Sequence, residues 1–589
     1  MKNIFILFCV LLITSIQAQN LEQYISKDAK AVVEINGGQI FSLIDFADIE
    51  MMMPPGPEGP MDLEELGINI KSKAYYFYNI RESMPYQNVV FALSDMKKAE
   101  EFITSMMPLE PKLINGFKVI MDSGTTAAWN NNMAILSYAD FPKKEYTMEE
   151  LKAEKEAERQ ARIEAGEEEI QNDEYGIGAP DEDLALELMF KNMDAPPLHS
   201  EEDMLRMLAD NFNSIINTNA SNSIRQQSSY SSGKKSNSSA YFWLSDLDDL
   251  VKDAMPSDVT SFIPGGMDTP SMPTGLTNIS SNLIFDQDEI RWESVMGMKP
   301  EIAESFAKIN SSKMDRSFLK YFDQDDVLSY MSFSSDVTKI MEEYPAMMQK
   351  LYGSSFPDFR EEIGIGMDLI EVIFDEEAIG ELITGDGLMV LHNVEEHEVT
   401  YMATEYDNDF NPTQVEKTKM EPLPIFSMMM GSENEKIISK MMRLARKYQV
   451  ASVEGTHHRI PAKDMGMPFD VYFAHNDGIL FFTNSTNKIS NYAAGKKTRN
   501  LGKHKKMLRN NSFNMYVNSS SVIDNLSGMV PLDPATLSDL RDNYKEMHFS
   551  TGKVENNNMG MDFVIKTSGA KGNALKLILD SMTSSLKGL

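Results

Sequence analysis

Two histidines five residues apart, His392 and His397, enclose the polar run Asn393, Val394, Glu395 and Glu396. Read as a hairpin turn, this run sets the two imidazoles facing each other across paired strands with Glu395 beside them, a donor set that can hold zinc. No third strong ligand is placed by the sequence, and an exposed hairpin end accounts for the same residues. His457, His458 and His475 do not extend the group, because adjacent residues on a strand point to opposite faces. Methionine stands out more: there are 44, clustered at Met51 to Met53, Met106 and Met107, Met428 to Met430, and Met441 and Met442. Thioethers can take Cu(I), but Met is also an adaptable filler of apolar contacts, and several clusters fall on expected helices or strands. Ser94 to Lys97 and Ser485 to Lys488 have the S-x-x-K spacing of acyl-transfer nucleophiles, without the companion S-D-N and K-T-G strings. The chain has no H-E-x-x-H, no G-x-S-x-G and no Gly-rich phosphate loop. No cofactor is expected, and no catalytic residue can be assigned.

The elements that would position such residues follow an export signal. Lys2 gives a positive start, Ile4 to Ile13 an apolar run, and Ser15 to Ala18 a cleavage site before Gln19. Cys9, the only cysteine, lies in that run, so the mature chain is expected to have neither disulfides nor thiolate metal sites. No later stretch reaches the roughly 18 to 20 apolar residues that span a bilayer, so no transmembrane segment is expected in the mature chain. The expected address is periplasmic, outer-membrane-associated or extracellular. With 89 acidic against 55 basic residues and a formal charge of -34, the surface repels phosphate backbones, which excludes nucleic acid as a partner.

Four segments share one pattern of alternating strand, polar joint and amphipathic helix, starting at Ala31, Tyr241, Leu328 and Phe513. The joints Asn36, Ser245, Ser334 or Ser335, and Asn518 suit helix N-caps, since a side-chain oxygen there can accept an orphan backbone N–H. After each come two strands and a second helix. In order, these strand pairs are 74–79 with 88–93, 279–285 with 290–298, 387–392 with 397–404, and 545–551 with 560–566. The first and third copies add a hairpin, turning at Asn130 to Asn132 and at Asn476-Asp477-Gly478, the latter a strong tight-turn signal. This reads as an α+β chain of internally duplicated βαββα units, ferredoxin-like in plan, forming mainly antiparallel sheets with helices on one face. The expected segments are a signal at 1–18, a long unit at 19–140, an insertion at 141–239, a short unit at 240–310, a second long unit at 311–511 and a second short unit at 512–589.

The insertion opens with interleaved charges and almost no apolar stripe, as in a solvated helix. It closes with a polar tract, NTNASNSIRQQSSYSSGKKSNSS, that lacks the side chains to bury a core. Between them Leu184, Leu186, Leu188, Phe190, Leu205 and Leu208 suffice for one or two short docking helices within Asp183 to Asn213, and the insertion is expected to be a mobile arm or, alternatively, a segment that recruits an envelope protein partner. The mature start LEQYISKDAKAVVEINGGQIFSLI, its Lys27-Asp28-Ala29 lead and the runs Glu64 to Ile68 and Glu361 to Ile365 resemble a large family of exported Bacteroidota-type proteins catalogued only as a domain of unknown function. That resemblance implies no activity and transfers no site residue. The functional expectation is a non-catalytic binding or scaffolding protein of the cell envelope. The alternatives are a hydrolase with its site between the two halves, favoured if His392, His397 or His475 converges with carboxylates, or a Met/His metal handler.

Overall fold

The computed structural model describes residues 21–50, 55–56, 59–60, 66–122, 124–164, 181–193, 195–248, 274–310, 313–355, 360–373, 375–406, 412–462, 469–526, 533–569 and 572–587. The expected signal peptide, Met51 to Met53 and most of the helix expected after Ser245 lie outside these residues. The chain forms two compact units, residues 1–30 with 62–226, and residues 31–61 with 227–589.

In chain order the strands are β1 (Ala31–Asn36), the small pair β2 (Pro55–Gly56) and β3 (Gly59–Pro60), β4 (Lys73–Arg81), β5 (Met84–Ala92), β6 (Lys112–Ile114), β7 (Phe117–Asp122), β8 (Thr125–Trp129), β9 (Met133–Ala139) and β10 (Ala240–Ser245). Next come β11 (Leu276–Phe285), β12 (Glu289–Met298), β13 (Ser329–Ser334), β14 (Asp386–Tyr406), β15 (Pro412–Gly431) and β16 (Ser452–Glu454). The last are β17 (His457–Ile460), β18 (Val471–Asn476), β19 (Ile479–Thr483), β20 (Phe513–Asn518), β21 (Tyr544–Glu555) and β22 (Asn558–Thr567).

The first unit holds the antiparallel order β4-β5-β9-β8-β7-β6. Its helix Met96–Met106 starts where expected, capped by Asp95, whose carboxylate accepts from Lys97 N at 2.9 Å and Lys98 N at 3.3 Å. Gly67 makes that start possible. It has φ +67°, and a Cβ there would lie 2.1 Å from the Asp95 carbonyl oxygen.

Part of the insertion belongs to the core. Helix Met148–Glu164 and helix Asp181–Met193 are tied by Lys191–Glu154 and Lys155–Glu187 ion pairs. Helix Glu201–Ile216, by contrast, buries Leu208 and Phe212 completely, and Leu208 packs against Met84, Tyr86, Ala139 and Phe141. A buried amide chain fastens it: Asn211 Nδ2 donates to Asn88 Oδ1 at 2.9 Å, and Asn88 Nδ2 donates to Asn79 Oδ1 at 2.6 Å. The polar tract also contributes core, since Ile224 and Tyr230 are buried. Composition understated it because its few large apolar residues are widely spaced among Ser and Asn.

Besides the small β2–β3 pair, the described residues of the second unit form fourteen strands in the antiparallel order β1-β10-β11-β12-β22-β21-β20-β13-β14-β15-β19-β18-β17-β16. The ferredoxin-like order, which lays the third strand of a unit between the first two, is not the one found. β13, β14 and β15 lie side by side in chain order, as do β20, β21 and β22, because each strand after a helix returns next to the strand before it. Two short hairpins, β6 with β7 and β16 with β17, accompany the two expected extra hairpins and were not legible as strands. Of the expected caps, Asn518 accepts from Ser521 N at 3.2 Å. Asn36 makes no cap bond, and the helix Val337–Ser355 is capped by Asp336, which accepts from Lys339 N at 3.0 Å, rather than by Ser334 or Ser335.

Candidate functional site

The turn expected between His392 and His397 does not exist. β14 runs unbroken from Asp386 to Tyr406 against β15. Leu391 pairs with Phe426 and Val394 with Pro424, so His392 and Asn393 together oppose Ile425. That is a β-bulge, which absorbs the polar residues without ending the strand. His397 is paired to Glu421 further along the same strand, its side chain lying outside those described, and Glu395 is exposed. The pair therefore does not face across a hairpin. Among the described residues no group of three His, Cys, Asp or Glu side chains is placed to hold a metal.

The bulge turns His392 inward, where it is 8% exposed. Its Nδ1 lies 2.8 Å from the Asp326 carbonyl oxygen and 3.4 Å from the Asp326 carboxylate, and its Nε2 lies 3.0 Å from Ser427 Oγ. A carbonyl only accepts, so Nδ1 carries the proton and Nε2 accepts from the serine. Lys488, from helix Thr486–Ala493, pairs with the same carboxylate. Burial works to raise the Asp326 pKa, but the hydrogen bonds from His392 and Lys488 outweigh it and hold the carboxyl down at about 2.

A serine, a histidine and an aspartate in this order are the parts of an acyl-transfer nucleophile, and sequence spacing gave no hint that they meet. The surroundings argue against that use. Ser427 is 2% exposed, near the C-terminal end of β15 and flanked by Val390 and Thr483 on the neighbouring strands, on the face that carries the buried Leu388, Val390, Met429 and Phe481. A nucleophile must be reachable, and this one is covered by its own core. The network ties the short helix Gln324–Asp326, the bulge and helix Thr486–Ala493 together. Ser485, of the S-x-x-K string, is the cap of that helix, accepting from Lys488 N at 3.4 Å. His475 is spent separately, its Nε2 lying 2.9 Å from the Ser432 carbonyl oxygen.

The other face of the same strands is different in kind. Residues paired directly across antiparallel strands share a face, and one such row runs Trp292, Phe563, Phe549, Met515, Met331, Met389, Met428 and Phe482 over β12, β22, β21, β20, β13, β14, β15 and β19. A parallel row runs Phe513, Phe333, Gly387, Met430 and Leu480. Phe333 lies over Gly387, where a Cβ would meet its ring. Trp292, Phe563, Met515, Met331, Phe333 and Met389 are each between 37% and 48% exposed. A solvent face of an antiparallel sheet ordinarily carries polar residues. Here the polar residues of the alternation are inside: Ser332, Ser334 and Asn514 are buried, with Asn514 Nδ2 donating to Ser332 Oγ at 3.0 Å.

The same unit also has a small cleft of about 200 Å³ lined by Asp246, Leu247, Asp248, Leu276, Thr277 and Lys299. It falls below the ~300 Å³ at which pockets begin to enclose small ligands, and its Lys299 is held by Asp248 at 2.8 Å.

No family model matches this chain. No curated protein matches it either. Three solved chains match, among them one described as "Structure of crystal form I of TP0453", at 8% identity over 48% of this chain and 80% of that one, with a TM-score of 0.21. A likeness that slight carries no argument about site or activity.

Proposed function

We propose that the chain is an exported, non-catalytic binding protein whose binding surface is the methionine and aromatic face of the second unit. The observation that supports this is the row from Trp292 to Met389, six strands wide and uncovered at its centre. Contiguous exposed apolar surface on this scale marks an interaction site. Methionine suits such a surface because its unbranched thioether repacks around partners of different shape. The abundance of Met is thus read as contact surface rather than copper chemistry.

Duplication of a half of the chain is part of this reading. In the second unit the order β1-β10-β11-β12 meets β22-β21-β20-β13, which is the same order of repeats run from the opposite side. The six-strand order of the first unit, β4-β5-β9-β8-β7-β6, is matched by β14-β15-β19-β18-β17-β16. Joining of the central repeats at the β12–β22 ladder would give the apolar face its width.

An environment-sensitive apolar dye tests the reading. The native chain should enhance its fluorescence saturably, and Met331→Gln, Met389→Gln and Met515→Gln combined should weaken binding by about tenfold while leaving the fold intact, since all three side chains are half-exposed. Equal binding by the folded triple variant would refute this surface as the site.

A further inference from the structure

We infer that the occupant of this face is a basic amphipathic helix of a polypeptide partner, an assignment that rests on the binding-face reading above. Three observations carry it. The first is the chemistry of the row. From Trp292 to Met389 it offers apolar side chains with no charged group among them, so an extended peptide laid on it would leave its backbone N–H and C=O groups without partners. A helix brings those groups already paired and presents one apolar stripe.

The second is size. Five interstrand spacings of about 4.8 Å make the row roughly 24 Å long, and a helix of about 18 residues is roughly 27 Å long. The third is charge. The chain carries -34 overall, and the crossover from β13 to β14, residues 335–385, holds twelve Asp and Glu against Lys339, Lys350 and Arg360. This crossover joins the strands that bear Met331, Phe333 and Met389. A net negative field of this size attracts a cationic helix to the apolar face, repels a second copy of the chain and disfavours an anionic lipid. Met331, Met389, Met428, Met430, Met515 and Met561 supply a face that can adapt to helices of varied sequence.

The molecule contains its own reporter. Of its three tryptophans, Trp129 and Trp243 are fully buried and Trp292 is 47% exposed on the row itself. The test titrates the complete mature chain with a Lys/Leu amphipathic helix of about 18 residues, a Glu/Leu helix with the same apolar stripe, a scrambled Lys/Leu peptide and neutral phosphatidylcholine vesicles. The Lys/Leu helix should shift Trp292 emission to the blue with an affinity that falls as salt rises. The Glu/Leu helix and the scrambled peptide should bind at least about tenfold more weakly, and Met331→Gln with Met389→Gln should weaken the Lys/Leu helix by a similar factor. Binding of the Glu/Leu helix or the vesicles as tightly as the Lys/Leu helix overturns the basic-helix assignment and leaves the apolar face standing. No blue shift with any probe, together with unchanged dye binding in the methionine variants, overturns both.

Discussion

His504 carries the clearest pH signature of any single residue. It is 2% exposed among Phe322, Tyr330 and Tyr516, with Nδ1 3.3 Å from the Tyr330 hydroxyl and the Tyr516 ring centroid 4.4 Å away. Desolvation, reinforced by the charge of Lys503, pushes its pKa down from 6.5 to about 4. The unfolded chain therefore binds a proton at this site before the folded one does, and stability falls as pH drops through the window from about 6.5 to about 4. His458 and His548, both shifted down by burial, act in the same direction. His504→Phe should flatten the dependence of the denaturation midpoint on pH within that window while leaving it intact below about 4. There Asp326, whose folded pKa near 2 lies below its ordinary 3.8, loses its contribution as it is protonated. An unchanged slope in His504→Phe would mean that the aromatic cage does not exclude the charged imidazole.

Elements divide the insertion in a way that its composition concealed. The charged helix Met148–Glu164 was legible because interleaved Glu, Lys and Arg leave no stripe to bury. The docking of helix Glu201–Ile216 was foreshadowed by Leu205 and Leu208, but its attachment through Asn211 to Asn88 was not, since two asparagines far apart in sequence carry no sign that they will meet. The long ladder of β14 and β15 was missed for a related reason. Asn393 to Glu396 have the composition of a turn, and only the partner strand decides whether such a run closes a hairpin or forms a bulge. Removal of Ala153 to Phe190 behind a short Gly/Ser linker should thus leave the denaturation midpoint nearly unchanged, because those helices are joined chiefly by surface ion pairs of little net worth. Leu208→Ala should cost about 2 to 5 kcal/mol, as a fully buried leucine leaves a cavity. Chemical denaturation of the two variants side by side checks the division, and a large loss in the deletion would place core contacts in the helical pair.

At the scale of the whole molecule, period-two alternation identified most strands but could not say which face was inside. In β13 the reading Ser-Tyr-Met-Ser-Phe-Ser gives two faces, Tyr330 with Ser332 and Ser334, and Met331 with Phe333. Intuition buries the second, whereas hydrogen bonding of Ser332 to Asn514 lets the first go inside and leaves the methionine and phenylalanine out. Net charge was legible from the start, and it makes opposite predictions for stability and binding. Among the described residues most of the ion pairs are partly exposed, such as Lys417–Glu405 and Lys419–Glu421, and contribute little, so the dominant long-range term at -34 is self-repulsion of the compact state. Salt screens that repulsion, with a Debye length of about 10 Å at 0.1 M falling to about 3 Å at 1 M. Thermal denaturation in sodium chloride should accordingly show a midpoint that rises from low salt to about 0.5 M, while affinity for the basic helix falls over the same range. A midpoint that falls with salt would mean that local ion pairs outweigh the net field, and would remove the electrostatic part of the argument for a cationic partner while leaving its apolar part in place.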